Sequence, residues 1–106
     1  MSTVRLCFSP APVHVRTARL VAAAVARRAG LDDVRLDELR LAVGEACARA
    51  VHRSEDAGID QPVELRVQDD GPSLFVTVVD AAGIDRAFEN AAVEKAAANM
   101  TVEIPD

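Results

Sequence analysis

The chain has 106 residues, of which 50% are hydrophobic, and a formal net charge of −5 at pH 7. This length fits one domain over residues 1–106, and the apolar content excludes a chain that is disordered throughout. With aromatic residues at only 3%, stacking of single-stranded bases lacks its platforms, and an acidic protein is a poor DNA binder. We therefore expect no nucleic-acid partner.

The charge is divided unevenly along the chain. Residues 1–53 contain nine arginines and five acidic residues, a balance of +4, whereas residues 54–106 contain three basic and twelve acidic residues, a balance of −9. Together these give the net −5. A basic half can steer association with an acidic partner, and an ordinary solvated surface is the alternative explanation.

Cysteine usage and hydropathy indicate the cellular compartment. Two cysteines do not make a disulfide framework, and no Cys/His cluster has zinc-ligand spacing. The N-terminus lacks an apolar run of signal-peptide length, and the most apolar stretch, residues 20–26, is too short to span a bilayer. We therefore expect a cytoplasmic protein without a metal or a membrane segment.

The first half of the chain predicts a strand and two helices. Residues 3–9 alternate as a half-buried strand does, and prolines follow them. Residues 13–29 predict a helix rich in Ala and Arg that stops at Gly30. Residues 33–53 predict the strongest helix, with a buried stripe at three- and four-residue spacing. That stripe consists of Leu36, Leu39, Val43, Cys47 and Ala50.

The second half predicts mainly strands. Residues 53–62 are polar and contain Gly and Pro, which indicates a loop. Residues 63–68 alternate and residues 74–80 are apolar on both faces, as expected for a hairpin with one central strand. A helix is expected over residues 85–98 and a last strand over residues 101–105. This order predicts an α+β fold of two layers, with helices on one face of a mixed sheet.

The second helix carries a family resemblance. The sequence LDELRLAVGEACARAV, residues 36–51, follows a strand and a helix and precedes a hairpin that ends in VVD, residues 78–80. This arrangement resembles the anti-sigma factor and serine-protein kinase branch of the histidine-kinase-like (GHKL) ATPases. The resemblance covers residues 3 to about 88. It implies the two-layer fold of that superfamily, here shortened and without an ATP lid, since no glycine follows Gly83.

The helix motif of this family departs from its pattern here. Family members have a Glu that resembles a general base, then an Asn four residues later that binds Mg²⁺, and often a His four residues further. By resemblance, Glu45 takes the position of the base, while Arg49 stands at that of the Asn and Arg53 at that of the His. Arg is a permanent cation that has only hydrogen-bond donors. It therefore repels a metal ion and offers none of the oxygen ligands that Mg²⁺ prefers.

The second family motif departs as well. It consists of an adenine-reading Asp followed by two spaced glycines. Asp80 matches the Asp, but Ala82 and Ile84 occupy the glycine positions, and only the displaced Gly83 remains. Side chains at these positions hinder close approach of phosphates to the backbone. We therefore expect a pseudo-ATPase with vestigial positions, no catalytic residue and no cofactor, in which Asp80 caps a turn.

Within this interpretation, Glu45 and Arg49 are expected to form an i,i+4 ion pair worth about 0.2–0.5 kcal/mol.

By resemblance, the leading hypothesis is a bacterial transcription regulator that binds a sigma factor or an anti-anti-sigma (antagonist) protein. Arg16, Arg19 and Arg27 on the first helix are the candidate partner contacts. The alternative is that these arginines only solvate the outer face of that helix.

Three other hypotheses are open. The first is an ATP-dependent kinase of a Ser or Thr on an antagonist protein, with Glu45 as its base, and it requires a Mg²⁺ site. The second is a metal-free nucleotide sensor in which Arg49 binds a phosphate directly. The third is a self-associating module, a homodimer in which the first strand pairs edge to edge with its copy and Cys7 lies on the less apolar face.

Overall fold

Two helices pack on one face of a five-stranded sheet, which confirms the predicted two-layer α+β fold. The structure is a computed structural model that describes residues 2–70, 73–90 and 100–104. A single 3₁₀ turn, Pro12–His14, precedes the first helix. The other elements are β1 (Ser2–Phe8), α1 (Val15–Arg28), α2 (Asp33–Ala57), β2 (Val63–Asp70), β3 (Ser73–Asp80), β4 (Gly83–Asn90) and β5 (Met100–Glu103).

The sheet has the strand order β4-β3-β2-β1-β5. Neighbouring strands are antiparallel except for β1 and β5, which are parallel, so the sheet is mixed as predicted. β5 confirms the expected last strand, and β3 has the central position that its apolar faces indicated. The hypothesis that the first strand pairs edge to edge with its copy does not fit this arrangement, because β1 is not an edge strand. β2 lies on one side of β1, and β5 occupies the other side over Val4–Cys7.

Small side chains allow α1 to lie close to its neighbours. Its most buried positions are alanines, and the larger Val21 and Val25 lie at the border of the core. The helix ends as predicted before Gly30, whose φ of 103° is a conformation that favours glycine. A short connection then turns the chain into α2, which packs against α1. The buried alanines of α1 are Ala18, Ala22, Ala23 and Ala26.

All five predicted stripe residues of α2 are buried. The side chain of Asp32 caps the helix by accepting a hydrogen bond from the Arg35 amide at 2.9 Å. The helix continues to Ala57, so the expected loop from residue 53 was placed too early. The polar residues there occupy the exposed face of a last helical turn whose Ser54 is buried. Gly58, with φ 64°, ends the helix.

The helix expected over residues 85–98 is wrong for residues 85–90, which belong to β4; residues 91–99 lie outside the described ranges. The chain turns tightly after β3, and Gly83 pairs with Asp80 to start the new strand. A register shift in β4 then lets Phe88 face the core, where it is buried opposite Val76. Pairing with β3 therefore overrides the local helical preference of this segment.

We predict that Leu39→Ala lowers the free energy of unfolding by about 2–5 kcal/mol, because it leaves a cavity at a fully buried site. Leu41→Ala is the matched control on the same helix, since Leu41 is 65% exposed, and it should change stability by less than about 0.5 kcal/mol. Urea unfolding measures both. Similar losses for the two variants would contradict the helix orientation described above.

Candidate functional site

An open pocket lies where the last turns of α2 meet the turn between β3 and β4. It has a volume of about 400 Å³ and is lined by Arg53, Asp80, Ala82, Gly83, Ile84, Asp85 and Arg86. Five of these positions are ones that the sequence motifs singled out. Glu45 and Arg49 lie outside this lining, although they share α2 with Arg53.

Asp80 is the most heavily engaged side chain of the pocket. Its side chain is only 3% exposed. Its Oδ2 accepts hydrogen bonds from Arg53 Nε at 3.0 Å and Nη2 at 2.7 Å. Its Oδ1 accepts from the backbone amides of Ala82 at 2.8 Å and Gly83 at 3.0 Å. Asp80 therefore caps the turn, as predicted, and also ties α2 to it.

These contacts set the ionisation of Asp80. Burial of the carboxylate acts to raise its pKa, but the hydrogen bonds from Arg53 and from the two amides, with the charge of Arg53, outweigh it. The net result is a pKa below the ordinary value for Asp. At neutral pH the group is a carboxylate whose two oxygens both accept hydrogen bonds from the protein.

The Arg49 side chain forms an ion pair with a residue of β4 rather than with a residue of its own helix. Its Nη2 donates to Asp85 Oδ2 at 2.8 Å. This hydrogen bond is the main reason that the pKa of Arg49 is raised, and the charges of Asp85 and Glu45 add to it. The expected Glu45–Arg49 ion pair is wrong: within the described ranges, no ion pair closer than 4.0 Å joins the two side chains. Asp85 is the competing carboxylate, and Glu45 remains exposed.

Sequence reasoning missed Asp85 and Arg86, the two β4 residues of the pocket. Arg86 donates to Glu89 at 3.0 Å, and its guanidinium lies 4.7 Å from the centroid of the Phe75 ring. The alternation of Ile84 and Arg86 with their neighbours was the available signal for a strand. It was weak, because the register shift at Ala87 breaks the period before Phe88.

Cys47 is a core residue of this region, as its position on the apolar stripe predicted. Burial of the thiol, with a contribution from the charge of Asp85, raises its pKa to about 12. A thiol with so high a pKa stays protonated at neutral pH and is neither a nucleophile nor a metal ligand.

The candidate partner contacts on α1 are all exposed. Arg16, Arg19 and Arg27 form no ion pair with any residue that the structure describes. A Cβ added at Gly44 of α2 would lie 3.4 Å from Cδ of Arg19, so this arginine runs over the seam between the helices. The structure does not bring these arginines into the pocket lining.

Two further properties concern the described part of the chain. In those ranges, no group of three or more His, Cys, Asp and Glu side chains is arranged to hold a metal ion. Neither helix there combines the length and apolar character that crossing a membrane requires.

The fold agrees with a comparison against known families. The family model for the histidine kinase-like ATPase domain matches residues 8–103. The chain therefore belongs to the family of histidine kinase-like ATPase domains. No curated protein sequence matches it significantly.

We predict that Arg53→Gln lowers the free energy of unfolding at pH 7 by about 1–2 kcal/mol, because Asp80 loses its charged donor. The loss is no larger because the Arg53 side chain is half exposed. The pKa of Asp80 is lower in the folded chain than in the unfolded chain. Its stabilisation is therefore complete above the unfolded value, about 3.9, and is lost as pH falls through the folded value. The stability gap between wild type and variant should narrow below about pH 4.

Arg40→Gln on the same helix is the control, since Arg40 pairs with Asp37, whose side chain is 80% exposed. It should cost less than about 0.5 kcal/mol. Unfolding curves from pH 2 to 7, with NMR titration of the Asp80 carboxyl carbon, measure both effects. A gap that does not change with pH would show that the ion pair contributes nothing.

Proposed function

We propose that this protein is a non-catalytic regulator of transcription of the anti-sigma factor type, which acts by binding another protein. The observation that carries the proposal is the state of Asp80. In the family resemblance this position reads adenine, yet here both oxygens already accept hydrogen bonds from Arg53 and from the turn amides. A nucleotide base would have to displace Arg53 and leave a buried carboxylate without its charged partner, which is costly.

The metal position supports the same proposal. Arg49 stands where the resemblance places the Mg²⁺-binding Asn, and its interaction with Asp85 raises its pKa further. A permanent cation at this position repels Mg²⁺, and Arg offers no acceptor atom that could serve as a ligand. The residues present therefore do not fit Mg-ATP.

The surface of α1 supports a role in protein binding. The helix contains four arginines and no acidic residue. Arg16, Arg19, Arg27 and Arg28 have no ion-pair partner among the described residues, whereas α2 pairs all of its arginines. Leu20, which is 54% exposed, lies among them. Unpaired guanidinium groups around an exposed apolar side chain favour an acidic protein surface, such as that of a sigma factor or its antagonist.

We predict that the purified protein does not bind Mg-ATP at millimolar concentration, so a calorimetric titration should be flat. The Arg49→Asn variant should also show no heat of Mg-ATP binding, because the Asp80–Arg53 interaction and the side chains of Ala82 and Ile84 are unchanged. Saturable binding tighter than about 100 μM would sink the proposal. Binding that requires Mg²⁺ would favour the kinase, and binding without it would favour the nucleotide sensor.

We predict that Arg16→Glu/Arg19→Glu/Arg27→Glu slows association with the cognate sigma factor or antagonist at least about tenfold at low salt. The effect should shrink as salt passes physiological strength, where screening acts over about 8 Å. Surface plasmon resonance against the candidate sigma factors and antagonists of the same genome measures the association rate.

Circular dichroism controls for folding, and Arg86→Glu on β4, outside α1, is the charge-reversal control. If the triple variant associates as fast as wild type at low salt, α1 is only a solvated face. The partner surface would then have to lie on the sheet or around the pocket.

A further inference from the structure

The two edges of the sheet are formed by strands of different length. β4 spans eight residues (Gly83–Asn90), whereas β5 spans four (Met100–Glu103). A short edge strand offers another chain little to pair with, and β4 lacks this protection. Among the described residues, no strand lies on the outer side of β4. Its outward backbone N–H and C=O groups are therefore available to a further strand.

Only the first half of β4 has an edge that is both regular and open. After Arg86, a register shift interrupts the pairing with β3. Further along, Arg35 of α2 donates from Nη2 to the backbone carbonyl of Glu89 at 3.0 Å, so a helix side chain occupies this acceptor. Neither feature affects residues 83–86. In the described ranges, no backbone hydrogen bond from a segment other than β3 reaches these four residues, which we call the open edge.

The pocket described above runs along the open edge, since all four residues of this edge line it. Successive side chains of a strand point to opposite faces of the sheet. Asp85 faces α2, where it accepts a hydrogen bond from Arg49. Arg86 faces the other side, where its guanidinium lies over the ring of Phe75. Because residues from both faces of one strand line the pocket, it lies against the edge between those faces.

The charge that a ligand meets in this pocket is basic. The two carboxylates are turned inward, since the side chain of Asp80 is 3% exposed and that of Asp85 is 29% exposed. Both already accept hydrogen bonds from arginines of α2. The guanidinium groups are more accessible, with Arg53 43% exposed and Arg86 56% exposed. Beside them lies Ile84, which is 70% exposed. The pocket therefore favours a carboxylate and an apolar side chain.

A strand edge selects the main chain of an extended peptide, and the charge of the pocket selects an acidic one. We propose that the open edge of β4 binds an extended acidic segment of another protein, which adds to the sheet as a further strand. Arg53 uses Nε and Nη2 on Asp80, so its Nη1 donates to an acidic side chain of the segment. The next residue of the segment points to the opposite face and packs against Ile84. The inference goes beyond the proposed function, which concerns α1.

The experiment is an NMR titration of the ¹⁵N-labelled protein with a synthetic peptide, Thr-Val-Thr-Glu-Val-Thr-Val-Thr, whose ends are blocked. We expect saturable shifts of the amides of residues 83–86, with a dissociation constant below about 1 mM. The same peptide with Lys in place of Glu should bind at least about tenfold more weakly, because it meets the guanidinium groups with a like charge. A peptide that is N-methylated at its four central residues has lost its main-chain donors there and should not bind.

Two matched variants test the position of the site. Ile84→Glu adds a carboxylate at the open edge, and the preference for the Glu peptide over the Lys peptide should fall by at least about fivefold. Val34→Glu makes the same change at the start of α2, where the replaced side chain is 71% exposed, and it should keep the wild-type preference. Circular dichroism shows whether both variants are folded. The ratio of the two affinities is the measured quantity, so a general loss of apolar contact cancels.

The proposal is overturned if the amides of residues 83–86 do not shift up to about 2 mM peptide, or if the Lys or the N-methylated peptide binds equally well. Shifts confined to α1 would also overturn it, since the arginines of that helix would then be what attracts the peptide. The variant Arg16→Glu/Arg19→Glu/Arg27→Glu separates the two sites. It should bind the peptide as wild type does, because α1 does not line the pocket. Failure at either site therefore leaves the proposal for the other standing.

Discussion

The carboxylate of Asp80 connects the helix layer to the sheet at the pocket, and the shape of the pocket depends on it. One oxygen holds the amides that form the turn into β4, and the other holds Arg53 near the end of α2. Because the side chain is only 3% exposed, its charge is stabilised by these donors rather than by water. A single group therefore fixes the turn, anchors the helix and occupies the pocket wall. The Arg49–Asp85 pair adds a second connection between α2 and β4.

These connections support the proposal that polar residues at the positions of a nucleotide-binding motif have a structural role here. In a nucleotide-binding protein, the polar groups of the pocket are free to bind the ligand. The contacts with the ligand then compensate for the desolvation of these groups. Here Asp80 and Arg53 satisfy one another inside the folded chain, so the stabilisation is present without any ligand. This supports the proposal of a binding protein whose pocket has become a structural joint between α2 and the β3–β4 hairpin.

The distribution of ion pairs supports the proposed position of the partner-binding surface. Arg35, Arg40, Arg49 and Arg53 on α2 are all engaged, whereas α1 has arginines and no carboxylate within its own span. Long-lived contacts form where charges and apolar side chains still lack partners. The outer face of the helix layer meets this condition, while the sheet carries its own pairs, such as Arg66 with Glu64. Partner binding is therefore proposed on the helices.

The sequence alone determined the features that depend on local periodicity and local chemistry. Helical spacing predicted the buried stripe of α2 and placed Cys47 in the core. Alternation predicted the β2–β3 hairpin, and an Asp at the end of a strand predicted the turn cap at Asp80. Only the tertiary structure decided that residues 85–90 form a strand, because pairing with β3 and burial of Phe88 outweigh a local preference for helix. It also decided that Arg49 forms its ion pair with Asp85 rather than with Glu45. Arg49 and Asp85 are distant along the chain, and no sequence pattern connects them.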